Sequence, residues 1–265
     1  MPYNIPMAKK IRVDKLLVAQ GLVESRSMAQ RLVMAGQVRA NGEMVHKPAE
    51  NVLPDVELTI AEMPRFVSRG GKKLEAAFET FNLGVDGRIC ADVGSSTGGF
   101  TDCLLQHGAA KVYAIDVGKG ILHWKMRSDP RVVVMEETNA RYLENLPEPV
   151  SFVSIDASFI SLKLLLPMVR GWADAGEVLA LIKPQFEAGR KEAAHGKGVI
   201  RNHEIHQRVL REVLTFAQEL GFRVRDLAQS PVVGPKGNIE FLAWLAWPRD
   251  GEVVPVGRFV SSLFS

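Results

Sequence analysis

The stretch that most limits what this chain can fold into is Asp92-Val93-Gly94-Ser95-Ser96-Thr97-Gly98-Gly99-Phe100. The short apolar run Arg88-Ile89-Cys90-Ala91 precedes it and reads as a buried strand. Residues 99–107 follow as a helix closed by Gly108. The pattern is a strand, a glycine-rich turn and a helix start. Glycines let the backbone approach a ligand closely, and a helix N-terminus offers N–H groups with no intrahelical partner. A second apolar run, Lys111 to Ile115, ends in Asp116 and Val117. A carboxylate about 20 positions past such a turn is where a nucleotide ribose is held.

The dinucleotide fingerprint G-x-G-x-x-G is missing, and so is a G-x-x-x-x-G-K-[ST] loop. Asp92 at the mouth of the turn suits a ligand with a positive centre better than a pyrophosphate. S-adenosylmethionine, with an amine and a sulfonium at its methionine end, meets that description. An ordinary strand-to-helix turn is the plainer alternative.

From Arg88 onward strand-like and helix-like stretches alternate. The strand candidates are 88–93, 111–116, 131–135, 151–155, 177–182, 222–229 and 239–246; helices are expected at 99–107, 159–170 and 202–220. Alternation of this kind predicts an α/β sheet with helices on both faces. The last two strands are joined by Gly-Pro-rich sequence without a helix, so an antiparallel terminal hairpin is expected. A chain of 265 residues, 46% hydrophobic, can hold one large domain and a small one.

The smaller domain lies at the N-terminal end. Residues 13–20 have helical spacing, Ser25 caps a second helix with Met28, Leu32 and Ala35 on one face, and Asn41-Gly42 marks a hairpin. The net charge of the chain is only +3, but the charge is unevenly spread. Lys9, Lys10, Arg12, Lys15, Arg26, Arg31 and Arg39 are opposed in that stretch by Asp14 and Glu24 alone. A basic face on a small helical module is what phosphate binding requires, although a solvated helix face has the same look. Arg65, Arg69, Lys72 and Lys73 form a second basic run at the entrance to the larger domain, either a solvated linker or a substrate-facing segment. The expected boundaries are 8–60 for the small domain, 61–67 for a linker, 68–250 for the large domain and 251–265 for a tail.

Cys90 and Cys103 fall in a predicted strand and helix and read as free thiols of a reducing compartment. No apolar run approaches membrane-spanning length, and residues 1–6 lack the apolar core of a signal peptide. A cytoplasmic location is expected. His203 and His206 show no third metal ligand, and no metal site is expected. Glu187 to Asn202 reads as a loop beside the ligand site, a lid or simply solvated.

Three further motifs fall at strand ends, where ligands of α/β sheets sit. They are Asp156-Ala157-Ser158-Phe159-Ile160-Ser161, Lys183-Pro184-Gln185-Phe186-Glu187 and Gly234-Pro235-Lys236-Gly237-Asn238-Ile239-Glu240. A lysine closing an apolar strand is costly to bury unless it is paired, and a structural Lys183–Asp156 ion pair is one reading of it.

Residues 10–60 resemble the alpha-L RNA-binding domain in Arg12-x-Asp14-x-Leu16-Leu17, Ser25-Arg26-Ser27-x-Ala29 and Gly36-x-Val38-x-x-Asn41-Gly42. Residues 65–247 resemble the FtsJ-type RNA ribose 2′-O-methyltransferases, and the whole chain resembles the TlyA (hemolysin A) family. The motifs carrying this are Ser68-Arg69-Gly70-Gly71-x-Lys73-Leu74, Ser96 to Thr101, Thr138-Asn139-Ala140-Arg141, Ser158 to Ser161 and Lys183 to Glu187. Where the FtsJ turn usually has Pro-Gly-Gly, this chain has Thr97-Gly98-Gly99.

The resemblance implies a Rossmann-like S-adenosylmethionine-dependent methyltransferase sheet and methylation of cytidine riboses in ribosomal RNA or ribosomal subunits. It implies cofactor binding by Asp92, Gly94, Ser95, Ser96, Thr97, Gly98, Gly99, Phe100, Asp116, Val117, Asn139 and Asp156. It also implies RNA binding by Arg12, Lys15, Arg26, Arg31, Arg39, Arg65, Arg69 and Lys72. The family's catalytic Lys–Asp–Lys–Glu set falls on Lys73, with Lys72 adjoining it, and on Asp156, Lys183 and Glu240. Apolar burial and a neighbouring ammonium both lower a lysine pKa. On that chemistry Lys183 is the expected general base, with Lys73 its pKa-lowering neighbour. Methyl transfer to a hydroxyl needs no metal. A non-catalytic ribosome-assembly factor, a hemolysin-like protein and a nicotinamide oxidoreductase are the competing readings.

Overall fold

The computed structural model describes residues 10–61, 64–189, 192, 196, 198–234, 236–248 and 251–264. Lys9, Pro235 and much of the segment 187–202 lie outside the described residues. The chain divides between Arg65 and Phe66 into two compact units.

The first unit packs helices α1 (Val13–Ala19) and α2 (Arg26–Met34) on a three-stranded antiparallel sheet. Its strands are β2 (Val38–Ala40), β3 (Glu43–Met44) and β5 (Leu58–Ile60), and β1 (Ile11–Arg12) pairs separately with β4 (Asn51–Val52). Ser25 caps α2, its hydroxyl accepting from the Met28 amide at 3.3 Å. Asn41 and Gly42 both have positive φ, 50° and 83°, which the two-residue hairpin turn needs. The buried stripe of α2 is Ala29 and Val33, four residues apart. Met28 is 38% exposed, so the expected Met28–Leu32–Ala35 face is displaced by one position. Two small residues, not the larger Met28, set the depth at which the helix docks.

The second unit is a seven-stranded sheet between two helical layers. Its parallel strands are β6 (Ile89–Val93), β7 (Lys111–Ile115), β8 (Val132–Met135), β9 (Phe152–Ile155) and β10 (Gly176–Ile182). The antiparallel strands β11 (Arg223–Gln229) and β12 (Phe241–Trp247) complete it in the order β11-β12-β10-β9-β6-β7-β8. The terminal hairpin is therefore at the sheet edge. Alternate residues of the strands serve the two faces. Ala91, Val93, Ile155 and Ile182 join one core, and Cys90, Phe152, Leu179 and Leu181 join the other. Burial on both faces is why these strands read as continuous apolar runs.

Residues 251–265, expected as a tail, contain a helix at Val256–Leu263. Its Val256 and Val260, four residues apart, are buried in the first of these cores. The helix expected over 159–170 starts only at Leu162, because Phe159 has φ 64° and Ser161 caps the helix, accepting from the Lys163 amide. Strand order reverses between β6 and β9, and a crevice opens at their carboxyl ends, the place where doubly wound sheets bind ligands.

Candidate active site

The turn after β6 is shaped by steric necessity. At Gly94 (φ 80°) a Cβ would stand 2.8 Å from the Asp156 carbonyl, so only glycine lets the exits of β6 and β9 close on each other. A Cβ on Gly99 would overlap Ser68 Oγ and lie 2.8 Å from the Gly71 amide. The first turns of α4 (Gly99–Gln106) and α3 (Gly70–Phe81) therefore touch through backbone. Two motifs distant in sequence, Ser68-Arg69-Gly70-Gly71 and Gly98-Gly99, thus form one contact. Asp116, closing β7, clamps the same turn: its carboxylate accepts from the Ser96 amide at 2.8 Å and the Gly118 amide at 2.7 Å.

Beside the turn lies a cavity of about 940 Å³, near the upper end of the usual small-ligand range. Gly94, Ser95, Ser96, Thr97, Gly99 and Phe100 line one side of it. Lys73, Asp156, Lys183 and Glu240 line it as well, brought there by α3, β9, β10 and the loop before β12. Lys73 is buried on α3 and Lys72 faces solvent, which settles which of the two enters the cavity.

Lys73 Nζ donates to Glu240 Oε2 at 2.7 Å and stands 3.7 Å from Asp156 Oδ2. Lys183 Nζ lies 2.5 Å from Asp156 Oδ1, an approach off the hydrogen-bonding directions. Its donated bonds go to Ser158 Oγ at 3.1 Å and the Asp156 carbonyl at 3.4 Å. One carboxylate, Asp156, thus bridges two ammoniums. The sequence reading took Lys73 as a neighbour of Lys183, and the structure puts Asp156 between the two ammoniums. Lys183 and Glu240 are 6% and 2% exposed, so these charges are largely removed from water and depend on each other.

The motif after Lys183 has its own local logic. Pro184 opens the short helix Pro184–Glu187 at a position where its missing N–H costs nothing. Burial pushes the Glu187 carboxyl above its ordinary value. It accepts from Ser161 Oγ at 2.6 Å and the Leu162 amide at 2.7 Å, fixing the segment after Asp156 to the segment after Lys183.

Other predicted cofactor residues are placed differently. Asp92 is fully buried below the turn and does not line the cavity. Its oxygens accept from Thr101 Oγ1 at 2.7 Å and Ser154 Oγ at 3.0 Å. Burial pushes its carboxyl up to about 7, although the two hydroxyls pull the other way. Asp92 thus lies beneath the turn with its oxygens engaged by two hydroxyls of the protein. Val117 is 68% exposed after β7, and Asn139 is exposed after β8, its side chain accepting from the Arg141 amide. Asp116, Val117 and Asn139 lie at the same carboxyl edge of the sheet but outside the cavity lining.

In the first unit the basic residues fall into two groups. Arg12 and Arg26 both reach Asp14 Oδ2, at 2.8 and 2.9 Å, and Gln30 donates to the same oxygen at 3.0 Å. Asp14 is fully buried, and its carboxyl is held well below the ordinary range, chiefly by the Arg12 hydrogen bond. These arginines are therefore shared with a structural acid, Asp14, one of the two carboxylates that oppose the basic stretch in the sequence. Lys15, Arg31 and Arg39 are exposed, as are Arg65 and, in the second unit, Arg69 and Lys72. Arg69 also lines the cavity.

Two aromatic residues were missed. Phe159 is 90% exposed with φ 64°, and its ring lies 4.9 Å from that of Phe186. Both line the cavity that holds Lys183. The signal was present in the sequence, an aromatic three residues beyond a strand-end acid, but it read as the start of a helix. His206 is buried against the Ile200 carbonyl at 2.9 Å, a packing role.

Residues 66–247 match the family of FtsJ-like methyltransferases, and residues 11–58 match the S4 domain. The Bacillus subtilis protein YqxC is 48% identical over 92% of this chain and 89% of its own length. The Mycobacterium tuberculosis protein TlyA, named a 16S/23S rRNA (cytidine-2′-O)-methyltransferase, is 45% identical over 92% of each chain. A solved structure from Streptococcus thermophilus aligns with a TM-score of 0.72 at 48% identity, over 96% of this chain and 95% of that one.

Proposed function

The chain belongs to the FtsJ-like methyltransferase family, in the TlyA group that joins an S4 domain to the methyltransferase domain, and on that premise we propose that it methylates cytidine ribose 2′-hydroxyls in ribosomal RNA. The observation that carries the chemistry is the convergence of Lys73, Asp156, Lys183 and Glu240 on one cavity beside the glycine turn.

The cavity fits S-adenosylmethionine in size and lining. The turn presents backbone where any Cβ at Gly94 would collide, and Asp116 keeps lone pairs for ribose hydroxyls after accepting two amides. S-adenosylmethionine supplies a methyl group on a positively charged sulfur. Asp116 would hold its nucleoside, with Val117 and Asn139 bordering the base. Asp156 lies at the switch point, where its carboxylate faces both lysines.

Lys183 takes the proton of the ribose hydroxyl as the new carbon–oxygen bond forms, then releases it to solvent. Lys73, paired with Glu240, orients the substrate through Asp156. Phe159 and Phe186 offer π-faces on which the target base stacks; such stacking is worth about 1–3 kcal/mol per base. Lys15, Arg31 and Arg39 hold RNA phosphates, while Arg12 and Arg26, fixed by Asp14, add direction. Among the described residues no helix is long and apolar enough to cross a membrane.

Mapping of 2′-O-methyl groups on ribosomal RNA from cells with and without this protein tests the reading. At least one cytidine methyl should depend on the protein and return with it. Identical maps would refute the activity.

A further inference from the structure

Between α3 and α4, outside the cavity lining, three side chains of metal-binding type converge. Cys103 and His107 are four residues apart and share one face of α4 and its C-terminal cap. Glu75 reaches them from α3. Cys103 Sγ is 3.5 Å from Glu75 Oε2, and His107 Nε2 is 2.8 Å from the same oxygen. The three ligand atoms all lie within 4.8 Å of one another. Cys103 is fully buried, while the Glu75 and His107 side chains are 13% and 28% exposed. The Phe78 ring packs on the imidazole at a centroid distance of 4.4 Å and limits its rotation.

We propose that Glu75, Cys103 and His107 bind a divalent cation of the zinc class, with water completing the tetrahedron on the exposed His107 side. Thiolate, imidazole and carboxylate are the zinc donor set, and the sulfur disfavours magnesium and calcium. Zinc–ligand bonds of about 2.0–2.3 Å at tetrahedral angles put ligand atoms about 3.4 Å apart. The 3.5 Å sulfur–oxygen distance already meets that, and the 2.8 Å nitrogen–oxygen distance must open by a few tenths of an ångström. One thiolate and one carboxylate balance the two positive charges.

Binding displaces the Cys103 thiol proton to solvent. The role is structural. Glu75 follows Lys73 by two residues, and α4 begins at the glycine turn, so the ion pins together the two helices whose first turns wall the cavity.

Cobalt titration of the metal-free full-length protein provides the test. Co²⁺ should produce a thiolate-to-cobalt charge-transfer band that saturates at one equivalent and is abolished by Zn²⁺. Zn²⁺ at one equivalent should raise the wild-type Tm. Cys103→Ser should lose the band, and His107→Ala should weaken Co²⁺ binding at least tenfold. A missing band in wild type, a band that survives Cys103→Ser, or a Tm indifferent to Zn²⁺ would each overturn the site. The trio would then be a buried hydrogen-bonded clamp between two helices.

Discussion

In the first unit a fully buried carboxylate, Asp14, is held by Arg12 and Arg26, whose side chains are 36% and 49% exposed. In the second, two buried ammoniums, Lys73 and Lys183, are held by Asp156 and Glu240. The signs are inverted, and so is the capacity for chemistry. A guanidinium does not give up its proton at accessible pH, so the Asp14 cluster is a permanent charge arrangement that can only position. A lysine can lose its proton, so the second cluster can react. The comparison predicts that breaking the first cluster costs stability and breaking the second costs turnover.

The largest effect is expected at Lys183. Lys183→Ala should lower single-turnover methyl transfer by roughly 10²–10⁴-fold, the range for loss of a general base. Calorimetric affinity for S-adenosylmethionine and the urea midpoint should stay near wild type. Asp14→Ala should do the reverse. It removes four hydrogen bonds to a charged acceptor but leaves the arginines access to water, so a loss of about 1–3 kcal/mol is expected on urea unfolding. Turnover at saturating RNA should be unchanged. Because the folded Asp14 carboxyl is depressed, its contribution is present above the ordinary carboxylate pKa and is lost as the pH falls below it.

Asp92 sharpens the contrast, since it is equally buried but held by two hydroxyls. Its carboxyl is raised to about 7, so between its ordinary value near 4 and pH 7 the unfolded chain ionises first and wild-type stability declines. Asp92→Asn, which keeps polar atoms toward Thr101 and Ser154, should be more stable than wild type at pH 8. That advantage should shrink at about 1 kcal/mol per pH unit or less down to pH 4, measured by urea unfolding. The smallest effects belong to the exposed cations. Replacing Lys15, Arg31 and Arg39 one at a time by Ala should each reduce the salt slope of RNA binding by about 1. Fluorescence titration at several salt concentrations would read this, with turnover at saturation unaffected.

Much of this was legible in the sequence because it is local. A strand that feeds glycines into a helix, an Asn41-Gly42 hairpin and a Ser25 cap follow from neighbouring residues. Lys183 was marked by its place at the end of an apolar strand. What escaped is tertiary. Nothing near Asp92 tells that its carboxyl turns down toward Thr101 and Ser154, nor near Asp14 that Arg26 comes back to it from the next helix. The exposed Phe159 was concealed by helical spacing, because a positive φ has no periodic signature. The helix at Val256–Leu263 was missed because it is short and owes its place to two valines buried on the sheet.

The claim that a lysine here does chemistry is tested most directly by Lys183→Arg, comparing cofactor affinity with the pH dependence of single-turnover methyl transfer. The account predicts a folded protein that binds S-adenosylmethionine as wild type does. Its methyl transfer should be as low as that of Lys183→Ala and should lack the rise with pH expected of a general base. A folded, cofactor-binding Lys183→Arg protein with near-normal turnover would show that the charge alone suffices, and would contradict the general-base assignment.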